Sequence, residues 1–474
     1  MRRPWYKPRV SRSFLLLALT AALAACSTPP APPGTAVVVP DLPATWRAPM
    51  PADTPADTLS GTAWKGFADP LLPQLVDEAL AANTDLRSAT AALARARALR
   101  DVAAASQGLQ LGSGASAARN RNAAGSSNTL RLGLDASWEA DVFGANAAAT
   151  AAAQADADAA AATLQATRLQ VAAETALAYV QWQGVRQQLK VAEASVASQQ
   201  QTLALVQARL KAGLAGTLEL ETATATLEQT RARVPALRQT LMQDEHALAV
   251  LLGLPPAALG PRLAAAPLSL PLVPELPAVG MPAQLLQRRP DLRAAEWKAT
   301  SALATLAQQQ AARKPGFTLS GSLALQAATL SGLGTSGALL AGVASAVNWT
   351  LLDGGAGEAR VAAQQAALDS ARITWQAAVL AALQDVEDSL SALATGRERV
   401  AALLRASASA DEALALARHR WQAGLVDHGT VLDAERTALS AADSLAGART
   451  DVASSHIRLL KALGGGIGIT PEQP

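Results

Sequence analysis

The chain of 474 residues holds one cysteine and four histidines, and only 3% of its residues are aromatic and 16% charged. A lone cysteine cannot close an internal disulfide, so no covalent framework holds the fold. His246, His419, His428 and His456 show no metal-ligand spacing, and no nucleophile-elbow pattern occurs. So little charge and aromatic surface is unusual for a soluble enzyme, and no enzymatic activity is expected. A basic excess is missing too. The 40 Lys and Arg nearly balance the 38 Asp and Glu. Five of the bases (Arg2, Arg3, Lys7, Arg9, Arg12) fall in the first 26 residues, which hold no acid. Without that stretch, 35 bases face 38 acids, a net charge of −3. That balance lacks the basic face nucleic acid requires. Alanine dominates instead, which favours long, closely packed helices.

The first residues read as an export signal. The basic stretch precedes an apolar run, Phe14 to Ala25, too short to span a bilayer. It ends in Leu23-Ala24-Ala25-Cys26, which resembles a bacterial lipobox. Residues 1–25 are therefore expected to be removed. Cys26 is expected to carry a diacylglycerol and an N-palmitoyl chain, whose several acyl tails anchor firmly where one would not. No other cofactor is expected. Ser27 stands where an inner-membrane lipoprotein has aspartate; by that resemblance the address is the outer membrane. Residues 26–60, rich in Pro, Ala and Thr, read as lipid anchor and extended tether.

The rest of the chain repeats itself. Trp138 to Ala225 aligns without gaps on Trp349 to Arg436. Trp138 falls on Trp349, Gly144 on Gly355, and Ala212-Gly213-Leu214 on Ala423-Gly424-Leu425. Asn83-Thr84-Asp85-Leu86-Arg87 pairs with Arg289-Pro290-Asp291-Leu292-Arg293 after small length changes. Two copies, 61–254 and 283–464, are thus expected around a Pro-rich linker, 255–282, with a tail at 465–474.

Each copy predicts the same order of elements. A helix comes first, at about 70–106 and 283–312, with Asn83 able to cap a new helical segment and Pro290 suited to a first turn. Two strands follow. Leu130, Leu132, Leu134, Ala136 and Trp138 alternate with Arg131, Gly133, Asp135 and Ser137, as do Phe317, Leu319, Leu323 and Leu325 with polar or small residues. Their partners fall near 108–119 and 338–350, with hairpin loops at Asn120–Asn128 and Thr329–Gly337. Then Gly144–Lys211 and Gly355–Gln422 predict helices about 100 Å long at 1.5 Å per residue. Gly213 and Gly424 suit left-handed stops. The return helices carry heptads, Leu220, Leu227, Val234, Leu241, Leu248 and Val431, Ala438, Leu445, Val452, Leu459, the mark of helices wrapped on partners. Pro235 is expected to kink the first without ending it.

Four strands of this length suit a tilted membrane strand but cannot close a barrel, and an open edge is forbidden in lipid. Either the strands form a soluble sheet or several chains share one barrel. Alternation and exported location favour sharing. Leu132 and Leu134 would then face lipid, while Arg131, Gly133, Asp135 and Ser137 face a wet lumen.

At this point the chain resembles the TolC/OprM family of outer-membrane efflux proteins, in its lipoprotein branch serving resistance-nodulation-division pumps. The resemblance rests on Trp64-Lys65-Gly66-Phe67-Ala68-Asp69-Pro70, on Trp138-Glu139-Ala140-Asp141-Val142-Phe143-Gly144 and, most specifically, on Arg288-Arg289-Pro290-Asp291-Leu292-Arg293-Ala294-Ala295-Glu296. It implies a mainly α fold with a transmembrane β-barrel. Three copies would share twelve strands and a twelve-helix periplasmic tunnel in a homotrimer, docked to a periplasmic adaptor and an inner-membrane transporter. It places the periplasmic aperture at Trp421 to Ala434, with Asp433 in a constricting ring, Thr430 where the best-known member has a second aspartate, and Trp421 and Val426 replacing a tyrosine and an arginine. Three converging carboxylates would repel and favour a proton or cation. It also implies that the tips at Gly213, Leu214, Gly424 and Leu425 meet the adaptor.

Gly332-Leu333-Gly334-Thr335-Ser336-Gly337 spells a dinucleotide fingerprint, but strand-like alternation follows it where a helix is needed. The rival architecture, a poreless coiled-coil lipoprotein such as an adaptor or spacer, usually has one helical hairpin; this chain predicts two, each behind paired strands. A Cys26→Ala variant should take up no labelled palmitate and should mislocalise or assemble less. Incorporation equal to wild type would refute the lipobox.

Overall fold

The computed structural model describes residues 37, 42–47, 67–122, 125–268, 270–271, 282–284 and 288–465. The export signal, Cys26, most of the tether, most of the linker beyond 271 and the tail beyond 465 lie outside the described residues.

The first copy runs α1 (Leu71–Ala82), α2 (Thr84–Ala105), β1 (Gln110–Asn122), β2 (Gly125–Ala140), α3 (Ala145–Lys211) and α4 (Thr217–Leu251). A short α5 (Gly260–Ala264) follows. The second copy runs α6 (Pro290–Ala311), β3 (Gly316–Ala327), β4 (Leu339–Asn348), α7 (Ala356–Gln422) and α8 (His428–Ala462). Helices α7 and α8 repeat the bounds of α3 and α4 at a displacement of 211 residues, with 67 and 35 residues in each copy. Asn83 divides the first expected helix, because its Oδ1 accepts the N–H groups of Asp85 and Leu86 at 2.8 and 3.2 Å and so starts α2. Its Nδ2 donates to the Leu251 carbonyl. In the second copy Arg289 takes that place, donating to the Ala462 carbonyl while pairing with Asp291 and Asp385.

Two compact units are built from these elements. Among the described residues, one is built from 93–160 and 294–375, the other from 67–92, 161–268, 288–293 and 376–465.

The first unit contains an antiparallel sheet of order β1-β2-β3-β4, so its central pairing joins the two copies. Among the described residues, the outer edges of β1 and β4 have no strand partner. Register sorts the side chains by face. Leu132 pairs with Leu325 and Ala115, and Leu134 with Leu323 and Ser113. On the other face Asp135 pairs with Gly112 and Ser322, and Ser137 with Gln110 and Ser320. Leu132, Leu134, Leu319, Leu323 and Leu339 of the apolar face, with Val343 and Val347, are exposed. Trp138 and Trp349 repeat one anchor, each donating Nε1–H to a backbone carbonyl, of Gln107 and Arg313.

Two expectations need correction. Asn120–Asn128 is mostly strand, not loop, since β1 reaches Asn122 and β2 starts at Gly125. The ladder is made by backbone groups, so a polar strand end leaves no apolar alternation to read. Gly133 is not an open lumenal position. It is buried, and a Cβ there would lie 3.1 Å from the Ala324 Cβ. A side chain at Gly133 would therefore press on Ala324, lumenal though its face is expected to be.

The second unit is helical. Its heptad positions on α8, from Val431 to Leu459, are all buried, and α4 continues unbroken through Pro235. Asp69 Oδ1 accepts the N–H groups of Leu71 and Leu72, while Oδ2 accepts from the buried Tyr179 hydroxyl at 2.9 Å. Helices α3 and α8 approach so closely that a Cβ on Gly184 would collide with the Thr450 side chain. His456 of α8 is 1% exposed and stands edge-on to Phe67 at 5.4 Å between ring centroids.

Burial, reinforced by Arg397, pushes the His456 imidazole down to about 4. The unfolded chain binds its proton near 6.5. This contribution to stability is therefore full at neutral pH and lost as pH falls from about 6.5 toward 4, roughly 3 kcal/mol in all. In denaturant titrations across that range, His456→Leu should show a shallower loss than wild type; equal slopes would show that another group titrates. On the sheet, Leu132→Arg with Leu134→Arg should block membrane assembly, at about 2–4 kcal/mol per charge near the midplane. Ser137→Arg, on the exposed polar face, should assemble. Heat-modifiable migration on gels reads both, and equal damage would mean that the two faces do not differ in environment.

Candidate pore constriction

The second unit brings the two interhelical turns together. Each long helix ends in a Schellman motif. Leu214 N–H reaches the Arg209 carbonyl at 2.8 Å and Gly213 N–H the Leu210 carbonyl at 3.0 Å; Leu425 and Gly424 repeat this on Arg420 and Trp421 at 2.8 and 2.9 Å. The pattern needs a left-handed residue, and Gly213 and Gly424 supply it at φ +71° and +74°. The residues that follow are apolar yet open: Leu214, Leu218 and Leu425 are all at least 70% exposed.

Trp421 links the hairpins from inside. It is 3% exposed, in a cluster with Val206, Ala223, Ala417 and Val431. Arg209 of α3 donates to the Trp421 carbonyl at 3.0 Å and lies 5.1 Å from its ring centroid. His428, also buried, tilts against the same ring at 5.1 Å, and desolvation holds its imidazole below the usual range. The indole is therefore packed within the chain, between the two hairpins, and does not face open space.

Thr430 is committed locally. Asp427 caps α8, accepting the Thr430 N–H at 2.9 Å and its hydroxyl at 2.7 Å. Those two bonds draw the Asp427 carboxyl below the ordinary range. Asp433 lies on the opposite side of α8 from the Trp421 cluster. Its side chain is 79% exposed and approaches only Arg436 among the described residues, at 3.6 Å. The structure thus separates Asp433, outward, from Trp421, inward, although the sequence placed both in one aperture.

Sequence reasoning missed a buried ionic cluster one turn away. Glu435, 3% exposed, pairs with Arg418 at 2.8 Å and accepts the Thr202 hydroxyl at 2.7 Å. Arg418 also meets the Ser198 hydroxyl. Glu435 Oε2, Arg418 Nε and both amide atoms of Gln199 are buried with no partner among the described residues. A carboxylate beside the apolar stripe of Val431 and Ala438 was the available signal. Breaking such a pair strands a charge, at about 3–5 kcal/mol, so the cluster fixes α3 against α7 and α8 only while intact.

On the sheet, Arg131 and Asp135 share the polar face and pair at 3.3 Å, both exposed. Gly332–Gly337 forms short 3-10 turns leading into β4, not the helix a phosphate cradle requires. No cluster of three metal-ligating residues occurs among the described residues.

Comparison with known proteins agrees with this architecture. The outer membrane protein OprJ of Pseudomonas aeruginosa is 31% identical over 97% of this chain and 96% of its own. The probable outer membrane lipoprotein SilC of Salmonella typhimurium is 27% identical over 87% and 90%. The solved outer-membrane channel OprN superposes with a TM-score of 0.83 at 32% identity, over 91% of this chain and 99% of its own. The family model for outer membrane efflux proteins matches residues 75–254 and 281–465, both copies of the repeat, and the chain belongs to that family.

Proposed function

We propose that this outer-membrane efflux channel works as a passive duct, in which three copies share one barrel and one helical tunnel. The observation that carries the reading is the four-stranded sheet with an exposed apolar face and two unpartnered edges. Such a sheet meets the demands of lipid only by pairing its edges with other copies. Arg131 and Asp135 then line a wet lumen. No catalytic step is assigned, and transport energy comes from an inner-membrane transporter of the resistance-nodulation-division class through a periplasmic adaptor. The exposed leucines at Leu214 and Leu425, beside Gly213 and Gly424, are the surface offered to that adaptor. Acyl chains on Cys26 add a second hold on the outer membrane.

Within the duct, the exposed Asp433 is the residue available to a constricting ring, on the helix that the bonds between Asp427 and Thr430 begin. Trp421 acts at one remove, as the buried wedge that sets the angle of the turns. Asp433→Ala should raise single-channel conductance in planar bilayers, most at low salt where fixed charge is least screened, and weaken cation preference. Trp421→Ala should destabilise the protein by about 3–5 kcal/mol and raise conductance without changing ion selectivity. If neither variant alters conductance or selectivity, the constriction lies elsewhere.

A further inference from the structure

The apolar face of the sheet ends abruptly. Along β2 it runs from Trp138, two residues from the row shared by Ala140 and Phe317, to Leu130. That is about 27 Å of strand at ~3.4 Å per residue, close to the height of a membrane barrel's apolar band once tilted. Helices join the sheet at the Trp138 end, while both hairpin connections lie at the other. Beyond Leu130, toward the first hairpin, the same face carries Asn128 opposite Arg119 and Ser126 opposite Arg121. The two arginines are alternate residues of one strand, hence on one side and about 7 Å apart. Both are exposed, and neither has a side-chain partner among the described residues. No acid shares their face: the sheet's carboxylates, Asp135 and Glu139, register on the other one. The corresponding end of the second hairpin offers Leu325, Ala327 and Leu339 instead.

We infer that Arg119 and Arg121 form a docking site for the phosphorylated headgroup of a membrane lipid, in the leaflet at the hairpin end of the sheet. The inference rests on the reading of the sheet as part of a barrel in lipid. Continuity with the apolar face decides the occupant, because a molecule seated on these arginines has its tails against Leu130, Leu132 and Leu134. Guanidinium groups match phosphate oxygens in paired hydrogen bonds, and each basic residue beside an anionic membrane surface strengthens attachment about fivefold. A zwitterionic headgroup offers no such net attraction, and an acidic protein segment would have no use for the apolar continuation.

The test titrates the full-length channel, in a non-ionic detergent, with diphosphorylated lipid A and counts bound lipid by native mass spectrometry. Arg119→Gln with Arg121→Gln should weaken binding about twenty-fivefold, from two such contributions. Arg119→Lys with Arg121→Lys should keep most of it, which guards against a double variant that fails to assemble. Arg131→Gln, on the opposite face, should bind as wild type does. Millimolar inorganic phosphate should not compete. Equal affinity of the double glutamine variant, an equal loss in Arg131→Gln, or displacement by inorganic phosphate would each overturn the lipid site. Wild-type conductance in planar bilayers separates the two readings. A conducting wild type that binds no better than the variant removes the lipid site alone; a wild type that neither conducts nor binds removes the barrel.

Discussion

The outer edges of β1 and β4 carry backbone donors and acceptors that nothing described in this chain satisfies. In water that condition is tolerable; in hydrocarbon each unmet group costs several kcal/mol. One face of the same sheet is lined with exposed leucine and valine, so water is not a comfortable solvent for it either. On the reading proposed above, closure with other copies resolves both, and assembly then accompanies insertion into the membrane. Duplication eases the problem. The β2–β3 pairing joins the two copies, which leaves two open edges per chain where separate hairpins would leave four.

The helical unit meets a different constraint. Its small residues let helices approach to where even a methyl group on Gly184 would not fit. Close packing of that kind leaves little room for adjustment, and several polar groups in it are held by specific partners. Arg209 on the Trp421 carbonyl and Glu435 on Arg418 and Thr202 tie the first hairpin to the second. Some atoms in that cluster have no partner among the described residues, so its packing is not fully satisfied.

Much of this was legible in the sequence, for identifiable reasons. Helix ends were readable because glycine at Gly213 and Gly424 has a stereochemical job no other residue does cheaply. The long helices and the heptads follow from periodicity, and the β2 faces from alternation. Strand ends were not readable, because Asn120 to Asn128 pairs through its backbone and its side chains carry no pattern. Gly133 was misjudged because alternation assigns a face but not the space available on it. The site was half legible: the motif brought Trp421, Thr430 and Asp433 together in sequence, but only three dimensions turn one inward, tie the second to Asp427 and leave the third outside. Glu435 was overlooked because burial of a carboxylate depends on Arg418, seventeen residues away across a turn.

The 211-residue displacement gives every feature of the second hairpin a twin in the first, and the twins differ in chemistry. Asp433 corresponds to Thr222 and Glu435 to Thr224, Arg418 to Gln207, and His428 to Thr217. The hydroxyls of Thr222 and Thr224 are spent on carbonyls of their own helix. At these positions the helices repeat while the charges do not. The first copy keeps charges of its own at other positions, Arg209, Glu219 and Glu221 among them, so each hairpin carries ionisable groups in its own pattern. Duplication followed by unequal charging lets one repeated fold present two different arrangements of charge.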